Sequence, residues 1–313
     1  MLRIALYIFV ILLCGILSVA ESVAQEKTRI ALSVRNVVLL PFYYAKDRRL
    51  FEKNGLDVEL IQMRSDLQMA GLTSGDLDFA AGVGSAIQGI VNGLPVKVVG
   101  VLYQGSPFSL LSRPGVTAPK DLEGKKVGVS RIGSESHKAA VLMIEKSGAD
   151  VKKVTFLQTG STTVSMIALQ QGSVDAAVLS PPFTGEMVIK GFRVIQRSRG
   201  LLEVPSNGLV TSRDRLQRQP QKVASTLKAM VESLRSIRQD RAGTVEFIRK
   251  SFSVHQRVAE EAYDDLIGIM LPDMVWPEEK VKNYLASGYV RTETGKPVSV
   301  ADVVDYSFLR ALR

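Results

Sequence analysis

The chain has 313 residues, 46% hydrophobic and 23% charged, a length and balance that exclude a disulfide-stapled miniprotein, wholesale disorder and a polytopic membrane protein. Its formal charge of +9 is scattered and not gathered into a basic arm or a stripe interleaved with aromatics, so no nucleic-acid partner is expected. One cysteine, Cys14, and two distant histidines, His137 and His255, offer no thiolate site and no local histidine pair; no metal and no cofactor are implied.

Residues 1–24 have the layout of an export signal: Arg3, an apolar run from Ile4 to Val19, then the small residues Ser22 and Ala24 before Gln25. The run is shorter than the ~20 residues a permanent membrane helix needs. Cleavage is expected after Ala24, with Ala20 as the alternative point and an uncleaved anchor as the competing outcome. Cys14 lies inside the run behind Leu13, where a lipoprotein signal would need a small residue, so the mature chain carries no cysteine. A periplasmic location follows from such a signal.

From Lys27 onward, short β-rich runs alternate with helical patterns, which predicts α/β units around mainly parallel sheets. Strands are expected at 29–34, 56–61, 77–81, 96–103 and 109–112, with helices over 41–53, 66–74 and 86–91. Asn54-Gly55 supplies a left-handed stop after the first helix. A second lobe opens after Pro114, with strands at 126–130, 154–158, 176–179 and 192–196 and helices around 141–146 and 164–171. The strand at 207–212 returns to the first lobe, and long helices follow. Pro220 suits a first helical position, and Val223, Leu227, Met230, Val231, Leu234 and Ile237 share one face of that helix. Further helices are expected at 244–250, 257–271 and 278–286, and no internal sequence repeat is visible.

This pattern predicts a discontinuous first lobe, 25–112 with 208–313, and an inserted second lobe, 113–207. Two hinge crossings near 111–114 and 205–209 would flank a central cleft suited to a small ligand.

In open α/β sheets, ligands collect beyond the carboxyl ends of the strands, where helix N-termini present amide donors. Four such junctions stand out: Ser33 to Val37, Gly82 to Ser85, Ser130 to His137, and Thr159 to Thr163. They nominate Arg35, Asn36, Gly84, Ser85, Arg131, Ser134, Ser136 and Thr162 as ligand contacts, joined by Ser180 at the end of a later strand. Tyr103, with Phe108 and Phe183, would form an apolar wall. Arg35 and Arg131 could grip an acidic group. Each has a structural alternative: Ser and Thr are ordinary N-caps worth ~1 kcal/mol, a loop arginine is equally a solvated one, and an aromatic at a strand end is often core. Gly82-x-Gly84 does not complete a dinucleotide fingerprint, because Ile87 stands where the third glycine belongs. Ser225-x-x-Lys228 lies on an amphipathic helix without companion motifs, so no catalytic residue is expected.

At Leu40-Pro41-Phe42-Tyr43-Tyr44-Ala45-Lys46, Leu50-Phe51-Glu52-Lys53-Asn54-Gly55-Leu56-Asp57-Val58 and Gly75-Asp76-Leu77-Asp78-Phe79-Ala80 the chain resembles the substrate-binding proteins of ABC importers. The branch is the one that includes sulfonate, nitrate and thiamine-pyrimidine binders. Gly93 to Val99, Asp121 to Val129 and Gly172 to Ala177 extend the resemblance, which spans 29–212 and rests on the order and spacing of these segments. It implies a two-lobed type II periplasmic-binding-protein fold and no enzyme activity. The implied role is delivery of a small anionic organic solute to an ABC permease in the inner membrane. A sensory module docking on a receptor and a pyrimidine-synthase-like enzyme are the alternatives. Arg35-Asn36 departs from the small polar pair frequent in that loop, so sulfonate, carboxylate and aromatic acid all stay open. Glu52, Gly55, Asp76 and Asp78 read as scaffold.

Overall fold

The computed structural model describes residues 25–33, 35–290, 292 and 297–312; the expected export signal lies outside them. Two five-stranded mixed sheets organise the chain. The first has the order β2-β1-β3-β10-β4, with β1 Glu26–Leu32, β2 Leu56–Gln62, β3 Phe79–Ala80, β4 Val96–Gln104 and β10 Pro205–Ser212. The second has the order β7-β6-β8-β5-β9, with β5 Ser109–Ser112, β6 Lys126–Val129, β7 Thr155–Gln158, β8 Ala176–Leu179 and β9 Arg193–Arg197. In each sheet three parallel strands are followed by one antiparallel strand, β10 or β5, that enters just after the chain has crossed between lobes. The architecture is the expected two-lobed α/β one.

The strand at 109–112 corrects the sequence reading: it was expected to complete the first lobe and instead pairs with β8 and β9 of the second sheet. Its adjacent leucines explain why it is buried throughout, because successive side chains of a strand point to opposite faces. Leu110 feeds the core on one face of the second sheet and Leu111 the core on the other. The crossings accordingly occupy 105–108 and 198–204, earlier than the expected 111–114 and 205–209.

The helix expected over 41–53 is broken at Arg49, whose φ of 56° is left-handed, into α1 (Leu40–Asp47) and α2 (Leu50–Lys53). Helix α3 covers Ser65–Ser74, and α4 covers Val83–Ile90, starting before the expected residue 86 and so drawing Gly84 and Ser85 into its first turn. The second lobe carries α5 (Glu135–Glu145), α6 (Thr162–Gln171) and α7 (Phe183–Ile189), the last absent from the sequence expectation. After β10 come α8 (Arg213–Arg218), also unanticipated, then α9 (Pro220–Gln239), α10 (Arg241–Ser251), α11 (Gln256–Ile267) and α12 (Glu278–Ala286). The apolar face read on α9 is buried in the first lobe's core through Val223, Leu227, Met230 and Leu234. Among the described residues no helix is long and apolar enough to cross a membrane.

The two lobes repeat one local device. Helices α3 and α6 each end on a left-handed glycine, Gly75 (φ 86°) and Gly172 (φ 76°), and an aspartate three residues later turns its carboxylate onto the neighbouring strand. Asp78 accepts from the Arg29 amide at 2.7 Å and Asp175 from the Lys126 amide at 2.9 Å, each 49 residues back along the chain. Each bond pins the middle one of its sheet's three parallel strands, β1 or β6, against the strand that follows the helix. The scaffold reading of Asp78 agrees with this geometry.

Beyond the crossings, α11 rests on α7, where Gly185 permits close approach: a Cβ there would stand 3.1 Å from the Cα of Val258. Beside this contact Arg197 of β9 bridges Asp265 at 2.5 Å and Glu261 at 3.1 Å, both on α11. Burial still outweighs the guanidinium and pushes the Asp265 carboxyl up to about 6.

Gly208 holds β10 against β4, since an added Cβ would meet the Gly100 carbonyl oxygen at 2.1 Å and a Val83 methyl at 2.9 Å. Gly208→Ala should therefore lower stability by about 1–3 kcal/mol or more by displacing backbone. Urea unfolding checks this, and an unchanged midpoint would contradict it.

Candidate functional site

Two cavities open along the seam between the lobes, and the loop after β1 contributes to both, Ser33 to one and Arg35 to the other. The first, about 400 Å³, is walled by Gly82 to Ser85 at the start of α4 and by Arg131, Ser134, Glu135 and Lys138 at the start of α5. Its remaining wall comes from the second crossing and β10, through Leu202 and Val204 to Asn207, and from Tyr284 and Tyr289. The second, about 340 Å³, lies between Arg35, Asn36 and Phe252 on one side and Ser161, Thr162, Thr163, Pro182 and Phe183 on the other. Both therefore draw their walls from the two sheets at once.

In the first cavity, Gly84 and Ser85 are exposed in the opening turn of α4, where backbone N–H groups lack intrahelical acceptors. Across from them the loop between β6 and α5 is held by its own hydrogen bonds. Ser136 is buried and accepts from the Ser130 amide at 3.1 Å, with its hydroxyl 2.7 Å from that of Ser130 and 3.0 Å from that of Ser134. Ser134 also donates to the Arg131 carbonyl at 2.6 Å, the Gly133 amide donates to His137 Nδ1 at 3.1 Å, and the Ile132 amide to Gln158 at 3.1 Å. The loop spends these donors on its own shape and presents charged side chains instead.

Those charges are of both signs. Arg131 is exposed and forms no hydrogen bond or ion pair through its guanidinium with the described residues, while Lys138 Nζ sits 4.1 Å from the centre of the Tyr289 ring. Tyr289 stacks on Tyr284 at 6.0 Å, and burial pushes the Tyr284 hydroxyl up to about 12, the Glu135 charge adding to the shift. Glu135 is open to the cavity, but the cavity is recessed in protein: desolvation pushes its carboxyl up to about 7 against the opposing pull of Lys138. The buried Ser106 hydroxyl, in the first crossing, donates to Glu135 Oε1.

A carboxyl whose pKa rises on folding, here from 4.5 to about 7, binds its proton more tightly in the folded chain. Its contribution to stability is full below about pH 4.5 and is lost as the pH climbs through about 7. Glu135→Gln, which keeps the shape and removes the ionisation, should raise the Tm of the unliganded protein near pH 8 and leave it unchanged near pH 4. An equal shift at both would contradict the assignment.

In the second cavity the Arg35 guanidinium is held rather than loose. It donates to the Ser251 carbonyl at 3.1 Å and lies 4.8 Å from the Tyr43 ring centre and 5.8 Å from that of Phe252. Asn36 accepts from the Val38 amide at 3.1 Å and Ser161 from the Val164 amide at 3.2 Å, both as caps.

The structure thus brings Gly84, Ser85, Arg131 and Ser134 to one cavity and Arg35, Asn36 and Thr162 to the other. Ser136 faces into its own loop, and Ser180 sits half-buried beyond β8, lining neither cavity, with its carbonyl accepting from the Thr184 amide. Tyr103 is a correction: it is fully buried in the first lobe's core because β4 is covered on both faces, so it forms no cleft wall. Phe108 packs on a second-lobe core, while Phe183 lines the second cavity. Glu135, Lys138, Asn207, Tyr284 and Tyr289 were not singled out from sequence. The glutamate and lysine resemble ordinary residues of a helix's first turns, and the tyrosines arrive from a distant helical segment.

A family model described as NMT1/THI5 like matches residues 36–241, well over half of the chain. The chain belongs to the NMT1/THI5-like family. A search by sequence among curated proteins finds no match. Among solved structures, this NMT1/THI5-like chain superposes on the periplasmic aliphatic sulphonate-binding protein SsuA from Escherichia coli with a TM-score of 0.70 and 20% identity, over 90% of this chain and 92% of that one. The periplasmic nitrate-binding protein NrtA from Synechocystis PCC 6803 gives a TM-score of 0.68 and 14% identity, covering 91% and 87%. A mutant of DSZB in complex with biphenyl-2-sulfinic acid gives a TM-score of 0.68 and 14% identity, covering 92% and 98%. At these identities the likeness shows the periplasmic-binding-protein fold.

Proposed function

We propose that this protein is an extracytoplasmic solute-binding protein that captures a small acidic organic solute between its lobes and delivers it to an ABC permease. The observation that carries the reading is the first cavity, whose walls come from strand-to-helix junctions of both sheets and which is served by Arg131 and Lys138. An anion there meets two cations and the exposed first turn of α4, each helix terminus being worth ~0.3–1 kcal/mol. The aliphatic-sulphonate and nitrate binders among the similar folds support an acidic ligand, and the export signal read at residues 1–24 supports a periplasmic site of action.

Residues 105–108 and 198–204 are the hinge, with 25–104 and 205–313 as one lobe and the stretch between as the other. A solute that touches both walls favours the closed form; moving the population from 1:99 to 99:1 requires about 5.5 kcal/mol of differential binding.

A thermal-shift screen over organic sulfonates, carboxylates and aromatic acids tests the proposal. A binder at about 100 times its Kd stabilises by about 2.7 kcal/mol, a rise of several degrees. No stabilisation across the whole library would contradict the reading.

A further inference from the structure

We propose that α11 is a strap across the two lobes and that Arg197 is its positioning residue, setting the angle at which the cavity walls stand before a solute arrives. The proposal rests on the binding-protein reading above and adds what regulates capture.

Helix α11 is built into the first lobe. Ala259, Ala262, Tyr263 and Leu266 lie in that lobe's core, and the Tyr263 hydroxyl donates to the Ile237 carbonyl at 3.2 Å. The same helix touches the second lobe at successive points along its length. Val258 is buried yet belongs to the core of neither lobe, and α7 covers it at Gly185. Further along, Glu261 and Asp265 take the Arg197 guanidinium, and at the helix end the Arg199 guanidinium occupies the place that a Cβ on Gly268 would need.

The place of Arg197 in the chain makes these contacts consequential. It is the last residue of β9, directly before the second crossing, and it pairs with Ser109, the first residue after the other crossing. Its Nη1 donates to Ser109 Oγ at 3.3 Å. Ser198 stitches the crossings together, its amide and hydroxyl donating to the Phe108 carbonyl at 2.9 and 3.0 Å. Rotation of the lobes therefore pivots beside Arg197, and opening draws the guanidinium and α7 away from α11. The Asp265 side chain is only 13% exposed, so water replaces a departing guanidinium poorly. A packed contact of this kind is made or unmade and does not stretch. At the other end, Phe252 before α11 and Phe183 at the start of α7 face each other across the second cavity, so the strap runs from that cavity to the hinge.

Pulsed EPR on the unliganded protein tests this, with spin labels on exposed positions of each lobe, Thr73→Cys and Ser173→Cys, in a Cys14→Ser background. The wild type should give one narrow distance distribution. Arg197→Gln and the near-isosteric Asp265→Asn should each widen it by several ångströms, and the two together should widen it no more than either alone. Arg197→Lys, which keeps a charge but not the fork, should fall between. A merely structural residue would lower the urea midpoint and leave the distances unmoved. Affinity for the probes propanesulfonate and benzoate should fall about 3- to 10-fold in the Gln and Asn variants, because fewer free molecules stand ready to bind. Distributions that match the wild type in both variants, or affinities unchanged beside widened distributions, overturn the proposal and leave the binding-protein reading standing. If neither acid binds the wild type, the binding-protein reading loses support, and the distances alone decide the strap.

Discussion

Asp78→Ala is expected to destabilise the protein by about 3–5 kcal/mol, because it removes the acidic centre of a buried charge cluster and leaves its cations behind. Asp78 is 6% exposed, and its Oδ1 lies 2.5 Å from Arg215 and 3.1 Å from Lys222, itself 6% exposed. Lys222 would retain Glu26 at 3.1 Å, but Arg215 would lose its ion-pair partner. The other carboxylate oxygen takes the Arg29 amide, and the Thr211 hydroxyl donates to the Asp78 carbonyl at 2.8 Å, so β1, β3, β10, α8 and α9 meet at one residue. The consequence reaches function, since β1 and β3 lead into Ser33 and Gly82 on the cavity wall.

Asp175→Ala is the internal control. It removes the equivalent strand-pinning bond, but Asp175 is only half-buried and carries no ion pair among the described residues, so the cost should be about 1 kcal/mol. Urea midpoints of the two variants decide the matter; equal losses would mean that the charge cluster contributes nothing beyond the shared turn.

Arg131→Ala should weaken binding of organic acids about 10- to 100-fold, the loss expected for a charge-assisted contact of ~1.5–3 kcal/mol. It should leave the unliganded protein within about 0.5 kcal/mol of wild type, since the side chain is exposed and its guanidinium has no partner among the described residues. Part of the lost affinity should be the salt-sensitive part, so the difference between wild type and variant narrows as ionic strength rises. Arg35→Ala, on the second cavity, should change affinity little. A large loss at Arg35 with none at Arg131 would place the solute in the other cavity and contradict the assignment. Calorimetry on both variants separates these outcomes.

Much of the fold was legible because it is written locally. Glycine stops such as Asn54-Gly55 and the Gly-x-x-Asp turns at 75–78 and 172–175 mark where helices end and strands begin. What failed was pairing. The run Ser109–Ser112 is a strand by composition, but its four residues do not state which sheet will accept it; that is settled by β8 and β9, far along the chain. Burial misled in the same way. Tyr103 sits in a strand covered on both faces, where alternation disappears, and Ser136 turns its hydroxyl into the loop that its neighbours were expected to open to a ligand. Glu135 carries no sequence mark of its setting, which is built by Ser106 and Tyr284, one before it in the chain and one 149 residues after.

Hydrogen exchange of the protein with and without the acid that stabilises it most tests capture between the lobes most directly. The account predicts new protection on both sides of the seam together, in 82–86 at the start of α4 and in 130–138 at the start of α5, with the hinge segments 105–108 and 198–204 slowing in step. Protection confined to one lobe, or appearing instead in a groove of the first lobe lined by Ile61 and Met63 beside β2 and by Ala70 and Gly71 of α3, would contradict it.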